Sequence, residues 1–272
     1  MFKFSIKGLL PLSLACLLFS MKGACAQPAV IGMIGGGHSK LKSPYLGWVY
    51  PDGSVQTVVD PFISIPTLAL SIAMNDQGMA LIGGMSTTQD SPPKLLPYGK
   101  LIGLDGTVIP LTLPSFTEGA AIRRVALNNE GYGLVGGFSG NPSTVNTFPY
   151  GGVVTPDGTV NAFSGSALPR GIGEIQSVAI DSFGYGIIGG RHQNRNMYVA
   201  KVAPNGDTSE LQSSFKINQT IGNITSVAMN RAGQGVIGGF FGDKTVGQFY
   251  AATVDCRLSG KSDSSPLFCL SI

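Results

Sequence analysis

The chain has two histidines, His38 and His192, and each lies just beyond a glycine pair, Gly35-Gly36 in one case and Gly189-Gly190 in the other. Two imidazoles brought to one point could act as acid and base or as metal ligands. A metal site needs more donors than that, and no cluster of Asp, Glu or Cys stands near either histidine, so no metal and no cofactor is expected. Arg191 and Gln193 flank His192, while Phe138, Phe240 and Phe241 occupy corresponding places after other glycine pairs. Aromatic rings so placed would form a platform for a sugar or a protein partner. Arg123 and Glu174 stand at the opposite end of the same repeating pattern. No Ser-His-Asp order, phosphate-binding loop, dinucleotide fingerprint or zinc-spaced Cys/His set is present, and no catalytic residue is assigned.

These residues interrupt a repeat. Ser71-Ile72-Ala73-Met74-Asn75, then Gly78, then Met79 to Gly84, recurs as Arg124 to Asn128 with Gly131 to Gly137, Ser177 to Asp181 with Gly184 to Gly190, and Ser226 to Asn230 with Gly233 to Gly239. A partial copy, Ile31 to Gly36, precedes them. The closing glycines, Gly36, Gly84, Gly137, Gly190 and Gly239, fall 48, 53, 53 and 49 residues apart. Self-similarity at such a period marks an array of identical units.

Each unit divides into four short runs. Asn75, Asn128, Asp181 and Asn230 precede a glycine by three residues, the signature of a turn closed by a left-handed glycine, so these side chains read as turn formers rather than ligands. A third run is anchored by Tyr45, Tyr98, Tyr150, Tyr198 or Tyr250. Asp52-Gly53, Asp105-Gly106, Asp157-Gly158 and Asn205-Gly206 then mark hairpins into a fourth run. Four antiparallel strands in about fifty residues are the dimensions of a propeller blade. The fold class predicted is all-β, a five-bladed β-propeller over residues 27–272. Glycine pairs would let neighbouring sheets approach, with Gly137 and Gly190 taken as the crowded positions. Loops before the first run and after the second run emerge together at the central channel, so the candidate ligand-binding residues are His38, Phe138, Arg191, His192, Gln193, Phe240, Phe241, Arg123 and Glu174.

The pattern Val-Ala-x-Asn-x-x-Gly-x-Gly-x-Ile-Gly-Gly, with its tyrosine and Pro-Asp-Gly hairpin, resembles the propeller-like repeats of bacterial surface and autotransporter-like proteins. The resemblance covers most of residues 30–255 and implies a repeated β architecture at the cell surface. An autotransporter continues into a membrane-spanning barrel, which is not expected here.

The two ends of the chain break the pattern. The first unit has no recognisable first run, and the last departs after Tyr250. Residues Pro266-Leu-Phe-Cys-Leu-Ser-Ile272 form an apolar run. Either one end of the chain completes a blade begun by the other, closing the ring, or Leu267 to Ile272 is the last blade's own fourth strand. Lys3 and Lys7, the apolar run Gly8 to Met21, and Ala24-Cys25-Ala26 have the form of a secretion signal, residues 1–26. Removing it takes Lys3, Lys7 and Lys22 from the +3 balance and leaves a neutral chain, which excludes charge-driven nucleic-acid or membrane binding. No transmembrane domain is expected in the mature chain. Cys256 and Cys269 remain, an even pair that suggests a disulfide in an exported protein. The function expected is an exported, non-enzymatic binding module for an extracellular protein or glycan. A small lyase or hydrolase using His38 and His192 is the alternative, and a structural surface component is the third reading.

Overall fold

The repeated turns nucleate the sheets. Asn75 Oδ1 accepts hydrogen bonds from the backbone of Gln77 (3.1 Å) and Met79 (2.9 Å), and Gly78 closes the turn at φ +77°. Asp181 does the same for Phe183 and Tyr185, as Asn230 does for Ala232 and Gln234. A side-chain acceptor replacing a backbone one, next to a glycine free of a Cβ penalty, fixes a tight reversal.

The computed structural model describes residues 30–37, 44–58, 65–142, 146–165, 167–168, 171–192, 196–211, 221–242 and 248–255. The expected signal, His38, Gln193, Cys256 and Cys269 lie outside them. Eighteen strands form five antiparallel sheets among the described residues. Blade 1 comprises β1 (Gly32–Gly37), β2 (Pro44–Val49) and β3 (Val55–Thr57). Blade 2 comprises β4 (Thr67–Met74), β5 (Ala80–Thr87), β6 (Leu95–Ile102) and β7 (Val108–Pro110). Blade 3 comprises β8 (Ala120–Leu127), β9 (Gly133–Asn141), β10 (Asn146–Val154) and β11 (Val160–Ala162). Blade 4 comprises β12 (Gly173–Ile180), β13 (Gly186–His192), β14 (Asn196–Val202) and β15 (Thr208–Glu210). Blade 5 comprises β16 (Gly222–Met229), β17 (Gln234–Phe241) and β18 (Gln248–Asp255). The predicted five-bladed β-propeller is the fold. Strands β4, β8, β12 and β16 pack on one another in succession and form the innermost layer.

The two glycines of each pair serve different contacts. A Cβ on Gly136 would lie 2.6 Å from Ile175 Cγ2 of the next blade, and one on Gly189 would lie 2.4 Å from Ile224 Cγ2. A Cβ on Gly137 would instead lie 2.0 Å from the carbonyl oxygen of Ala121 in its own sheet, and Gly190 is closed by Glu174 O at 2.1 Å. The blade junction therefore belongs to Gly136 and Gly189. Gly137 and Gly190 are required by a β-bulge that pushes the inner strand's backbone toward them. Across the ladder each second glycine faces the repeated tyrosine, as in Gly84↔Tyr98, Gly137↔Tyr150 and Gly190↔Tyr198. These tyrosines are buried, and burial pushes the Tyr150 phenol up to about 12.

Turn side chains also join the blades at the floor of the channel. Asn75 Nδ2 donates to Asn128 O (3.0 Å), and Asn128 Nδ2 donates to Asp181 O (3.0 Å). Ser182 Oγ donates to Arg231 O, and Arg231 pairs with Asp76. The turns of blades 2, 3, 4 and 5 are thus linked in sequence, and the Arg231–Asp76 pair joins blade 5 back to blade 2. Hydrogen bonds from Asn129 and the Arg231 charge hold the exposed Asp76 carboxyl below its usual range. Hairpin bonds from the following Ser or Thr do the same for Asp52 and Asp105, and bonds from Thr155 and Thr159 do so for Asp157. Depressed carboxylate values contribute stability that is complete above the unfolded value and lost as pH falls through the folded one. Thermal stability is therefore expected to hold from neutral pH down to about 4.5 and to decline below about 4. A melting temperature that rises on acidification through that window would contradict this.

Candidate functional site

Among the described residues, the four innermost strands each carry a bulge at one position. The ladder register slips between Ala69 and Ser71, Ile122 and Arg124, Ile175 and Ser177, and Ile224 and Ser226. Leu70, Arg123, Gln176 and Thr225 are left without a cross-strand partner, at equivalent points around the channel. A bulge re-aims a side chain away from the regular sheet faces, so it frees these four positions from the packing rule that governs their neighbours. That explains why they differ among themselves while Ile72, Val125, Val178 and Val227 repeat two places on, and Ser71, Ser177 and Ser226 repeat beside them in three of the four blades.

Three blades contribute to one polar chain on this rim. Glu174, next to the bulge of blade 4, is buried; its Oε2 lies 3.1 Å from Arg123 Nε of blade 3, and its Oε1 lies 3.3 Å from Arg191 Nη2. Gln176 Nε2 donates to Glu174 Oε1 (2.7 Å), and Asn223 Nδ2 of blade 5 donates to Gln176 Oε1 (2.5 Å). Asn223 Oδ1 is buried without a hydrogen-bond partner among the described residues. The Arg123 guanidinium also lies over the Phe138 ring, 5.1 Å from its centroid. One buried carboxylate thus holds two guanidiniums whose side chains remain about half exposed, at 45% and 52%. Each guanidinium has five N–H donors in a rigid fork. The cluster carries one net positive charge.

The structure brings together Arg123, Glu174, Arg191 and Phe138 of the residues singled out from the sequence. Phe138 is buried beneath Arg123 and offers no exposed ring, so the three-phenylalanine platform is not formed as expected. Phe240 is exposed on β17 beside exposed Phe249 of β18, its cross-strand partner. Phe241 is half-buried against the core of blades 4 and 5. His192 is half-buried at the end of β13, edge-on to Tyr198 with centroids 6.3 Å apart. Among the described residues no group of three or more His, Cys, Asp or Glu could hold a metal ion. Gln176 and Asn223 were not singled out as ligand-facing. For Gln176 the signal in the sequence was the departure of residues 70, 123, 176 and 225 from one another.

No family model and no curated sequence matches the chain. Solved structures do resemble it. A streptogramin B lyase shares 12% identity at a TM-score of 0.45, with 84% of this chain and 63% of that one covered. The chain thus spans less than two thirds of that enzyme's length. The protein YjhT shares 12% identity at a TM-score of 0.46, covering 84% of this chain and 83% of the other. Virginiamycin B lyase from Staphylococcus aureus shares 14% identity at a TM-score of 0.40, covering 84% and 78%. The propeller itself rests on the five sheets of this chain. Likeness at this level assigns no reaction.

Proposed function

We propose that the protein is an exported binding module that holds an extracellular protein or glycan at the channel rim. Arg123 and Arg191 anchor an anionic or acceptor-rich group of the partner. The observation that carries this reading is a single buried Glu174 orienting two half-exposed guanidiniums from adjacent blades. A buried carboxylate fixes the forks in place, so little rotamer freedom is lost when a ligand binds. Asn223 Oδ1 supplies an acceptor for a hydroxyl at the far end of the same polar chain. The signal-like composition of residues 1–26 supports export.

The test is binding of the mature chain, residues 27–272, to a glycan array and a panel of extracellular proteins. The expected result is a saturable partner whose affinity falls at least tenfold in an Arg123→Ala, Arg191→Ala double variant and is unchanged in Lys94→Ala. Each lost charge-assisted hydrogen bond corresponds to about 1.5–3 kcal/mol. Equal affinity in the double variant, with the fold intact, would remove the rim from the function. A His38→Ala, His192→Ala variant in the same panel separates binding from the enzyme alternative, because binding is expected to survive it. A turnover that vanishes in that variant would replace the binding reading.

A further inference from the structure

Among the described residues, one gap interrupts the ring. In blade 5 the second strand turns a face outward that every preceding blade covers with the next innermost strand. Val236 is 50% exposed, whereas its counterparts Leu81, Leu134 and Ile187 are fully buried. A Cβ on Gly238 would meet nothing closer than 3.9 Å, while the same atom on Gly83, Gly136 or Gly189 would strike an isoleucine of the next blade at 2.3 to 2.6 Å. Blade 1 faces this gap with the complementary defect. Ile34 is 41% exposed and Tyr45 42%, against 0–1% for Ile82, Val135, Ile188 and Ile237 and 1–8% for the other four tyrosines. Gly36 has nothing within 4 Å, whereas Gly84, Gly137, Gly190 and Gly239 are each closed by an innermost-strand carbonyl at 2.0–2.1 Å. The element missing among the described residues is the innermost strand of blade 1.

We propose that residues Leu267 to Ile272 of this chain supply it. Leu270-Ser271-Ile272 is identical to Leu70-Ser71-Ile72, the bulge of β4, and Pro266 stands where Pro66 precedes that strand. Ser271 follows Ser226 by 45 residues, close to the 49 between Ser177 and Ser226. The two serines of the pattern that bond across blades show how the segment would lock. Ser71 Oγ accepts from Val125 N (3.2 Å) and Ser177 Oγ accepts from Val227 N (2.9 Å), each on the next blade. In the same register Ser226 accepts from Ile272 and Ser271 accepts from Ile72. Cys269 takes the place of Ile122, Ile175 and Ile224 and covers Gly238. The Phe268 carbonyl closes Gly36. Leu270 joins Leu70, Arg123, Gln176 and Thr225 as the fifth unpaired bulge residue. The eleven residues 256–266 span up to about 36 Å, enough to pass from the end of β18 to the top of the gap. The alternative placement, as the fourth strand of blade 5, lacks the Asp/Asn-Gly hairpin that precedes every described fourth strand, and it would leave the gap open.

This register excludes the Cys256–Cys269 disulfide. Gly238 pairs with Ala251, five residues before Cys256, which places the two cysteines about 16 Å apart along the strand. Disulfides require Cα atoms within about 7 Å. The experiment has two arms. In the mature chain, Gly36→Val is expected to lower the melting temperature by roughly 5–10 °C, and to have no such effect when residues 266–272 are removed. A Gly36→Val effect that is the same in both backgrounds overturns the proposal. Independently, non-reducing peptide mapping is expected to show Cys256 and Cys269 unlinked, with Cys269 alkylated at least tenfold more slowly in the native than in the unfolded monomer. A Cys256–Cys269 crosslink or a readily alkylated Cys269 overturns it. Protection found only in a dimer overturns closure within one chain in favour of strand exchange.

Discussion

Gly137→Ala is expected to cost far more than Gly136→Ala, although the two glycines are neighbours in an identical pair. The added methyl at 137 would lie 2.0 Å from the Ala121 carbonyl oxygen and 3.0 Å from Arg123 N, both backbone atoms of the bulged strand β8. That backbone cannot retreat without breaking the ladder between β8 and β9, so a cost of about 4 kcal/mol or more, with failure to fold as its limit, is expected. At 136 the methyl would meet Ile175 Cγ2 and Val178 Cγ1 at 2.6 and 2.7 Å, and side chains can shift at about 1–3 kcal/mol. Urea melts of the two variants measure the difference directly. Equal midpoints, or a milder loss at 137, would mean that the bulge does not dictate this glycine. The same order is expected for Gly190 against Gly189, where the blocking atoms are Glu174 O and Ile224 Cγ2.

Asn128→Ala is the second large expected effect. Asn128 is buried, its Oδ1 accepts from Tyr132 N (2.9 Å), and its Nδ2 donates to Asp181 O (3.0 Å) in the next blade. Alanine would leave a part-buried donor and a buried acceptor unpaired, at about 1–3 kcal/mol each, so a loss of about 2–4 kcal/mol is expected. Asn128→Asp keeps the acceptor for the turn but loses the donor to the next blade, and it is expected to recover only part of the stability. Full recovery by aspartate would show that the turn alone matters and that the link between blades contributes nothing. Asp181 already occupies the equivalent place in blade 4, where its Oδ1 keeps the turn bonds to Phe183 and Tyr185.

How much of this was legible in the sequence differs between scaffold and site. Turn chemistry is local, so the Asn and Asp residues at 75, 128, 181 and 230 and their glycines announced the reversals. The same asparagines reach across to the next blade, and that second role leaves no local trace because it depends on where the neighbouring turn comes to rest. The glycine pair was equally visible, but its division of labour was not. Only the bulge distinguishes a glycine facing its own sheet from one facing the next. Asn223-Ile224-Thr225 also has the form of a glycosylation sequon, yet Asn223 is half-buried with its amide committed to Gln176, so the motif is not available as an acceptor.

The period near fifty residues, the strand runs within it and the turn residues at fixed offsets determined by themselves that the chain is a five-bladed propeller. Each of these acts between residues close in sequence, or repeats until the pattern is unmistakable. Tertiary structure alone decided that Arg123, Glu174, Arg191, Gln176 and Asn223 form one polar chain, since they come from three blades. It also decided that Phe138 is buried under Arg123 rather than offered to a partner. Closure of the sheets places residues some fifty positions apart side by side, and no local preference encodes which of them will meet.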